Sequence, residues 1–222
     1  MPSINDFQFY DPDAEMTMTM GDLPHWQQAG ATYFITYRTF DSISKTAVAQ
    51  ILAERDDWLQ RHGINATDAD WHNHLRKLPL AQQQAFRRTL SNRFEQELDQ
   101  LAGECLLKKP NLASIVSDSL HHFDNERYLL GAFVVMPNHV HVLVRVFPEY
   151  EMLKQCFSWK HFQAHEINLS ERRSGHIFQS ESFDHLVRDS DHFFKFRRYI
   201  EDNPRKAKLK SSEFLLYLPE IT

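Results

Sequence analysis

Residues 127–147 read Arg-Tyr-Leu-Leu-Gly-Ala-Phe-Val-Val-Met-Pro-Asn-His-Val-His-Val-Leu-Val-Arg-Val-Phe, two apolar runs split by Pro137-Asn138. Runs of that length and composition on either side of a turn signal predict two β-strands joined by a tight turn. The second carries His139 and His141 two residues apart. Side chains along a strand repeat every second residue, so both imidazoles leave the same face of the sheet. Two neutral imidazoles on one rigid face make half a metal site, with positions open for water or substrate oxygens. Ordinary strand histidines are the alternative. No third histidine is obviously placed, and no HxxxH pair with a catalytic Glu marks a zinc protease.

Working outward, residues 31–38 are rich in aromatic and β-branched residues and predict a strand. Ser44 is a candidate N-cap for a helix to about 61, with Ala47, Ile51, Leu52 and Leu59 on one side and Gly63 closing it. Residues 80–106 read as one helix entered through Pro79, and Pro110 opens another to about 122. The stretch 64–109 is treated as a helical insertion. After the strand pair come a helix over about 150–170, a short strand over 182–188, and a last helix from 191 to about 202, stopped by Pro204. Without the insertion the order is βαββαβ plus a helix. The expected class is therefore α+β, an α/β sandwich with a ferredoxin-like antiparallel core. The expected organisation is an N-terminal arm (1–29), one domain (30–210) and a C-terminal tail (211–222).

A chain of 222 residues that is 42% hydrophobic can bury a core, and no apolar run approaches the ~20 residues needed to cross a bilayer. The first residues lack the pattern of a secretory signal. Cys105 and Cys156, without CxxC spacing, suggest reduced thiols and a cytoplasmic protein. Net charge is −5, but it is unevenly spread: five acids and no Lys or Arg precede Arg38, whereas residues 195–210 hold seven cations against two carboxylates. Such a basic segment can serve as a phosphate footprint; a solvated helix face is the alternative.

That basic segment contains Tyr199 and Asn203, four apart and so on one face of the last helix. Asn203 can offer a carboxamide oxygen to a metal, with the Tyr199 phenol beside it. Two imidazoles and an amide oxygen suit Mg²⁺ or Mn²⁺ completed by phosphate oxygens better than a closed Zn²⁺ site. Tyr199 as a half-buried surface aromatic is the alternative.

The phrase Met-Pro-Asn-His-Val-His, followed about 60 residues later by Tyr-Ile-x-x-Asn-Pro, resembles the REP-associated tyrosine transposases. These are single-tyrosine HUH nucleases related to the small insertion-sequence transposases. Leu23-Pro24-His25-Trp26 with residues 30–34, Leu153-Lys154 with Ser158-Trp159-Lys160, and Phe178-Gln179 with residues 182–189 extend the resemblance over roughly 22–210. At Phe178 the family more often has Trp. The resemblance implies that His139 and His141 are metal ligands, that Asn203 occupies the place of the third ligand, and that Tyr199 is the nucleophile. It implies cleavage through a 5′-phosphotyrosine, and a partner that is single-stranded or hairpin DNA from repetitive extragenic palindromes. Covalent cleavage of that kind needs no ATP, in keeping with the lack of a GxxxxGK[ST] loop.

Around this centre, Arg197, Arg198, Arg205 and Lys206 flank Tyr199, and Lys160 and Arg188 are further candidates for phosphate contact. Trp26, Trp71 and Trp159 are candidates for base stacking, with packing as the alternative. The expected state is a monomer whose tyrosine helix acts in cis, although related enzymes exchange this helix within dimers. Two other functions remain in view: a hairpin-DNA-binding protein that does not cleave, and an unrelated His-ligated metalloenzyme. The tail is expected either to pack on the body or to shield the site.

Overall fold

The computed structural model describes residues 1–20 and 24–222. In chain order its elements are β1 (Thr17–Met20), β2 (Pro24–Gln27), β3 (Thr32–Arg38), α1 (Lys45–Arg61), α2 (Trp71–Arg76), α3 (Leu80–Leu98) and α4 (Pro110–His121). There follow β4 (Tyr128–Val135), β5 (His139–Val146), α5 (Met152–Ser170), β6 (Phe183–Leu186), α6 (Ser190–Lys206) and β7 (Leu215–Tyr217). The fold is α+β. β1 and β2 form a separate two-stranded ribbon, and the other five strands form one antiparallel sheet in the order β6-β3-β5-β4-β7.

Alternation along β5 decides what covers each face. Val140, Val142, Val144 and Val146 point one way, with Tyr33, Ile35 and Tyr37 of β3, into a core closed by Leu112, Val116 and Leu120 of α4 and Trp159 and Ile167 of α5. A one-residue slip would drive the valines to the other face, so their burial fixes the register and with it the direction of the histidines. On the opposite face Phe34, Val134 and Leu143 meet Phe193 and Ile200 of α6 and Phe7 of the N-terminal segment. α6 sits close against the sheet because β4 has a glycine there: a Cβ on Gly131 would lie 3.0 Å from the Phe193 ring.

The helices between β3 and β4 are arranged differently from the sequence expectation. Ser44 does cap α1, its hydroxyl accepting from the Ala47 N–H at 3.1 Å. However, Ile51 and Leu59 pack with Trp71, Leu75, Phe86 and Leu90 in a core of their own that reaches the sheet at Phe183. α1 thus joins α2 and α3 in one helical group, and α4 is the helix from this stretch that packs in the core against the sheet. Leu52, next to Ile51 and so about 100° round the helix, is 39% exposed.

The helix expected over 80–106 stops at Leu98 because the chain reverses. Leu101, Gly103 and Cys105 all have positive φ, and a Cβ on Gly103 would lie 2.6 Å from the Asp41 carbonyl oxygen. Pro204 does not end α6 at 202 but lies in its last turn. The helix ends two residues after it, and the chain closes through the Ala207 N–H to the Asn203 carbonyl and the Leu209 N–H to that of Pro204.

The N-terminal arm lies over the body, with Phe7 against Phe193 at 4.6 Å between ring centroids. Its β1–β2 ribbon was not expected from its weak pattern. Leu23 of the quoted motif lies outside the described residues. The tail packs on the body as well, β7 pairing with β4 at the edge of the sheet.

Candidate functional site

His139 and His141 project from β5 toward α6, and their Nε2 atoms converge to 3.0 Å. Each ring is oriented from its far side. The Asn138 Nδ2 donates to the Ala102 carbonyl at 3.1 Å, which turns its Oδ1 toward His139 Nδ1 at 2.8 Å. A carbonyl oxygen accepts, so His139 carries its proton on Nδ1 and leaves the Nε2 lone pair facing inward. Thr36 Oγ1 lies 2.7 Å from His141 Nδ1. The hydroxyl can donate or accept, and so it supports either tautomer of His141.

Both rings are held neutral. Burial pushes His139 down to about 3, and burial plus the neighbouring His139 puts His141 well below the ordinary imidazole value. From α6, Asn203 Nδ2 approaches His141 Nε2 at 3.3 Å, while the buried Asn203 Oδ1 has no hydrogen-bond partner. Tyr199, one turn earlier, meets His141 edge-on at 5.2 Å between ring centroids. This donor set fits a divalent cation. Two neutral imidazoles present their Nε2 atoms 3.0 Å apart, and such nitrogens are common ligands of divalent ions. The Asn203 amide oxygen, buried and without a partner, is the further donor that could join them if the carboxamide turned over.

The helical addition reaches the same place. Burial, then the carboxyls of Glu95 on α3 and Asp99 just past its end, hold the Tyr199 phenol well above its ordinary value, with the Asn203 amide acting the other way. Glu95 itself is pushed up to about 7 by burial and by Asp99. The Lys206 ammonium lies 4.9 Å from the centre of the Tyr199 ring. Sequence reasoning missed Glu95 and Asp99, because nothing local ties α3 to α6. It also passed over Arg38, which pairs with His139 across β3 and β5 and therefore shares its face. The Arg38 guanidinium is buried and lowered to about 10 by that burial, and it donates to Ser42 Oγ at 3.3 Å. The register of β3 against β5 was the signal that would have found it.

The other basic candidates separate. Arg188 is exposed and lines a cleft of about 500 Å³ that ends at Tyr199. Arg198 is exposed, and Arg205 is exposed and paired with Asp202 at 2.9 Å. Lys160 and Arg197 are not placed as phosphate ligands. Lys160 is buried and donates to the carbonyls of Gln179 and Ser180, and Arg197 donates to those of Gly131 and Pro219. Long cationic side chains so engaged serve as clamps between segments. Trp71 and Trp159 are buried in the two cores, leaving Trp26 in the cleft.

A second buried polar cluster braces the outer wall of this cleft. His25 of β2 pairs through Nδ1 with Asp184 of β6 and through Nε2 with Glu181 at 2.9 Å, and Arg87 of α3 reaches Asp184 at 2.9 Å. Burial alone would lower the His25 pKa, but hydrogen bonds to Asp184 and Glu181 outweigh it and raise His25 to about 9. Burial would likewise raise Asp184, but Arg87 and His25 hold it below the usual carboxylate range.

No family model and no curated protein matches the sequence. Among solved structures, a REP-associated tyrosine transposase bound to a REP hairpin is similar at 14% identity and a TM-score of 0.41, covering 84% of this chain and 74% of that chain. At that TM-score the likeness assigns no role to any side chain.

Proposed function

We propose that this chain is a metal-dependent, site-specific single-strand DNA endonuclease and strand-transferase acting on hairpin-forming palindromic repeats. The observation that carries the proposal is the convergence of Tyr199 and Asn203 on the His139/His141 pair, from two elements 58 residues or more apart in sequence. The four-strand order fourth-first-third-second, with α6 laid over the histidine face, supports a ferredoxin-like core carrying its nucleophile on an extra helix.

His139, His141 and Asn203 would hold Mg²⁺ or Mn²⁺, which supplies charge stabilisation to the oxygens of the scissile phosphate. Tyr199 Oη attacks the phosphorus, the P–O3′ bond breaks, and the 3′ oxygen leaves as a hydroxyl after taking up a proton. Glu95, which shares the cleft and titrates near 7, takes the phenol proton in this scheme. The bond to tyrosine keeps the phosphate activated for rejoining. The packing of α6 on its own sheet supports a monomer that acts in cis.

A second reading has one observation in its favour. His139, His141 and Asn203 are only 0%, 1% and 2% exposed, as suits a protein that binds hairpins without cutting them. Hairpin oligonucleotides from the repeats beside its own gene separate the two. The nuclease gives an SDS-resistant protein–DNA adduct that needs Mg²⁺ or Mn²⁺ and disappears in Tyr199→Phe. Hairpin binding without any adduct selects the second reading, and an adduct in Tyr199→Phe removes Tyr199 from the mechanism.

A further inference from the structure

The cleft that ends at Tyr199 has one wall that the core fold does not supply. Gln84, Arg88, Asn92 and Glu95 lie along one stripe of α3, at helical spacing, and all four line it. The opposite stripe of α3, with Phe86 and Leu90, is buried against α1 and α2, which holds the polar stripe in place. Lys195 and Phe196 of α6, Arg188 just beyond β6 and Trp26 of the N-terminal ribbon complete the lining.

We infer that this cleft is a binding site for unpaired nucleotides next to the scissile phosphate, with α3 as its specificity-determining wall. The inference rests on the nuclease reading only in taking Tyr199 as the point where the strand is cut. Three features favour an unpaired strand over a duplex. At about 500 Å³ the cleft has room for roughly one or two nucleotides, on the ~300–1,000 Å³ scale of sites that enclose a small ligand. Its exposed cations, Arg88, Arg188 and Lys195, outnumber its lone lining carboxylate among the described residues, Glu95, as suits a phosphate backbone. Trp26 is the lining aromatic on which a base can stack, whereas Phe196 is itself stacked on Phe34 at 4.3 Å. The carboxamides of Gln84 and Asn92 add paired donors and acceptors of the kind that read a base edge, adenine above all.

The wall is also anchored. Arg87, adjacent to Arg88, is tied to Asp184, and the same carboxylate holds His25, adjacent to Trp26. One buried carboxylate thus ties down the neighbours of a phosphate-binding candidate and of a stacking candidate.

The test is fluorescence anisotropy with the full chain, using a labelled short mixed-sequence single strand and a blunt duplex of the same length. The single strand should bind more tightly than the duplex. Arg88→Ala should weaken it roughly threefold to tenfold and lower the salt slope by about one, and Trp26→Ala should weaken it roughly fivefold or more. Arg88→Lys, which keeps the charge, should retain most of the affinity, and Lys154→Ala on α5 should change nothing. Equal affinity for duplex, or wild-type binding by Arg88→Ala and Trp26→Ala, overturns the inference. Wild-type adduct yield from those two variants with unchanged binding leaves the nuclease standing and the cleft refuted. Weakened binding in the variants, with no Tyr199 adduct in any metal, leaves the cleft standing and the nuclease refuted.

Discussion

His139 and His141 on β5, and His25 on β2, are equally hidden from water, at 0%, 1% and 5% exposure, yet they end in opposite charge states. Around the β5 pair stand a threonine, two asparagines and a tyrosine, none of which offsets a positive imidazole. Burial therefore wins, and both rings stay neutral with lone pairs available. Around His25 stand Asp184 and Glu181, whose hydrogen bonds and charge overcome the same burial. What a buried histidine does is decided by its neighbours: the first site holds neutral nitrogen donors with no counter-charge beside them, and the second contains its cations and their counter-charge.

The largest effect that tests this contrast comes from His141. His141→Ala leaves one nitrogen donor, and adduct formation should fall by about a thousandfold or more, equivalent to ~4 kcal/mol. The Mn²⁺-dependent rise in Tm expected of the intact pair should vanish with it. His25→Ala should lower Tm but keep the Mn²⁺ response. Differential scanning fluorimetry with and without Mn²⁺ checks both. If Mn²⁺ still raises the Tm of His141→Ala as much as that of wild type, the ion is held elsewhere.

The two sites also differ in how much of them the sequence discloses. The β5 pair is legible because the strand period of two and the helix spacing of four are local rules: His139-x-His141 and Tyr199-x-x-x-Asn203 each declare a face. The strand pair around Pro137-Asn138, the Ser44 cap and the α4 stripe are legible for the same reason. His25, by contrast, lies 159 residues from Asp184, and Arg87 lies 97 residues from it. No periodicity links such partners, so the cluster, the place of Glu95 beside Tyr199 and the edge pairing of β7 emerge only from tertiary packing. The early end of α3 has a similar origin. Residues 99–106 have acceptable helical composition, but the chain must turn there for Ala102 to meet Asn138 and for Gly103 to meet Asp41.

Truncation separates the sites by stability as well. Asp184→Ala strands a protonated His25 and Arg87 in a buried place without their shared anion, a change that typically costs about 3–5 kcal/mol. Asn203→Ala removes an amide whose oxygen has no partner to lose, and should cost about 1 kcal/mol or less of metal-free stability. Urea unfolding in the presence of a chelator measures both. An Asn203→Ala loss as large as that of Asp184→Ala would mean that Asn203 is a structural bond rather than a waiting ligand.

A further difference is in pH, where the two sites have opposite signs. His25 binds its proton more tightly in the folded chain, with a pKa near 9 against an ordinary 6.5. Its contribution is therefore complete below about pH 6.5 and is lost as pH rises through 9, because the folded state must release a proton that the unfolded state has already given up. At ~1.4 kcal/mol per pKa unit the loss amounts to about 3–4 kcal/mol, or a fall in Tm of roughly 7–14 °C for a chain of this size. His139, lowered to about 3, works the other way in the metal-free protein, since the unfolded state takes up a proton that the fold excludes and stability falls as pH drops below 6.5. The two together predict a stability maximum near the ordinary imidazole pKa, with separate causes for its two flanks. His25→Gln, which keeps a polar side chain of similar reach but cannot titrate, should flatten the alkaline flank and leave the acid flank intact. An alkaline flank unchanged in His25→Gln would show that His25 is not a cation in the fold, and the contrast between the two sites would collapse.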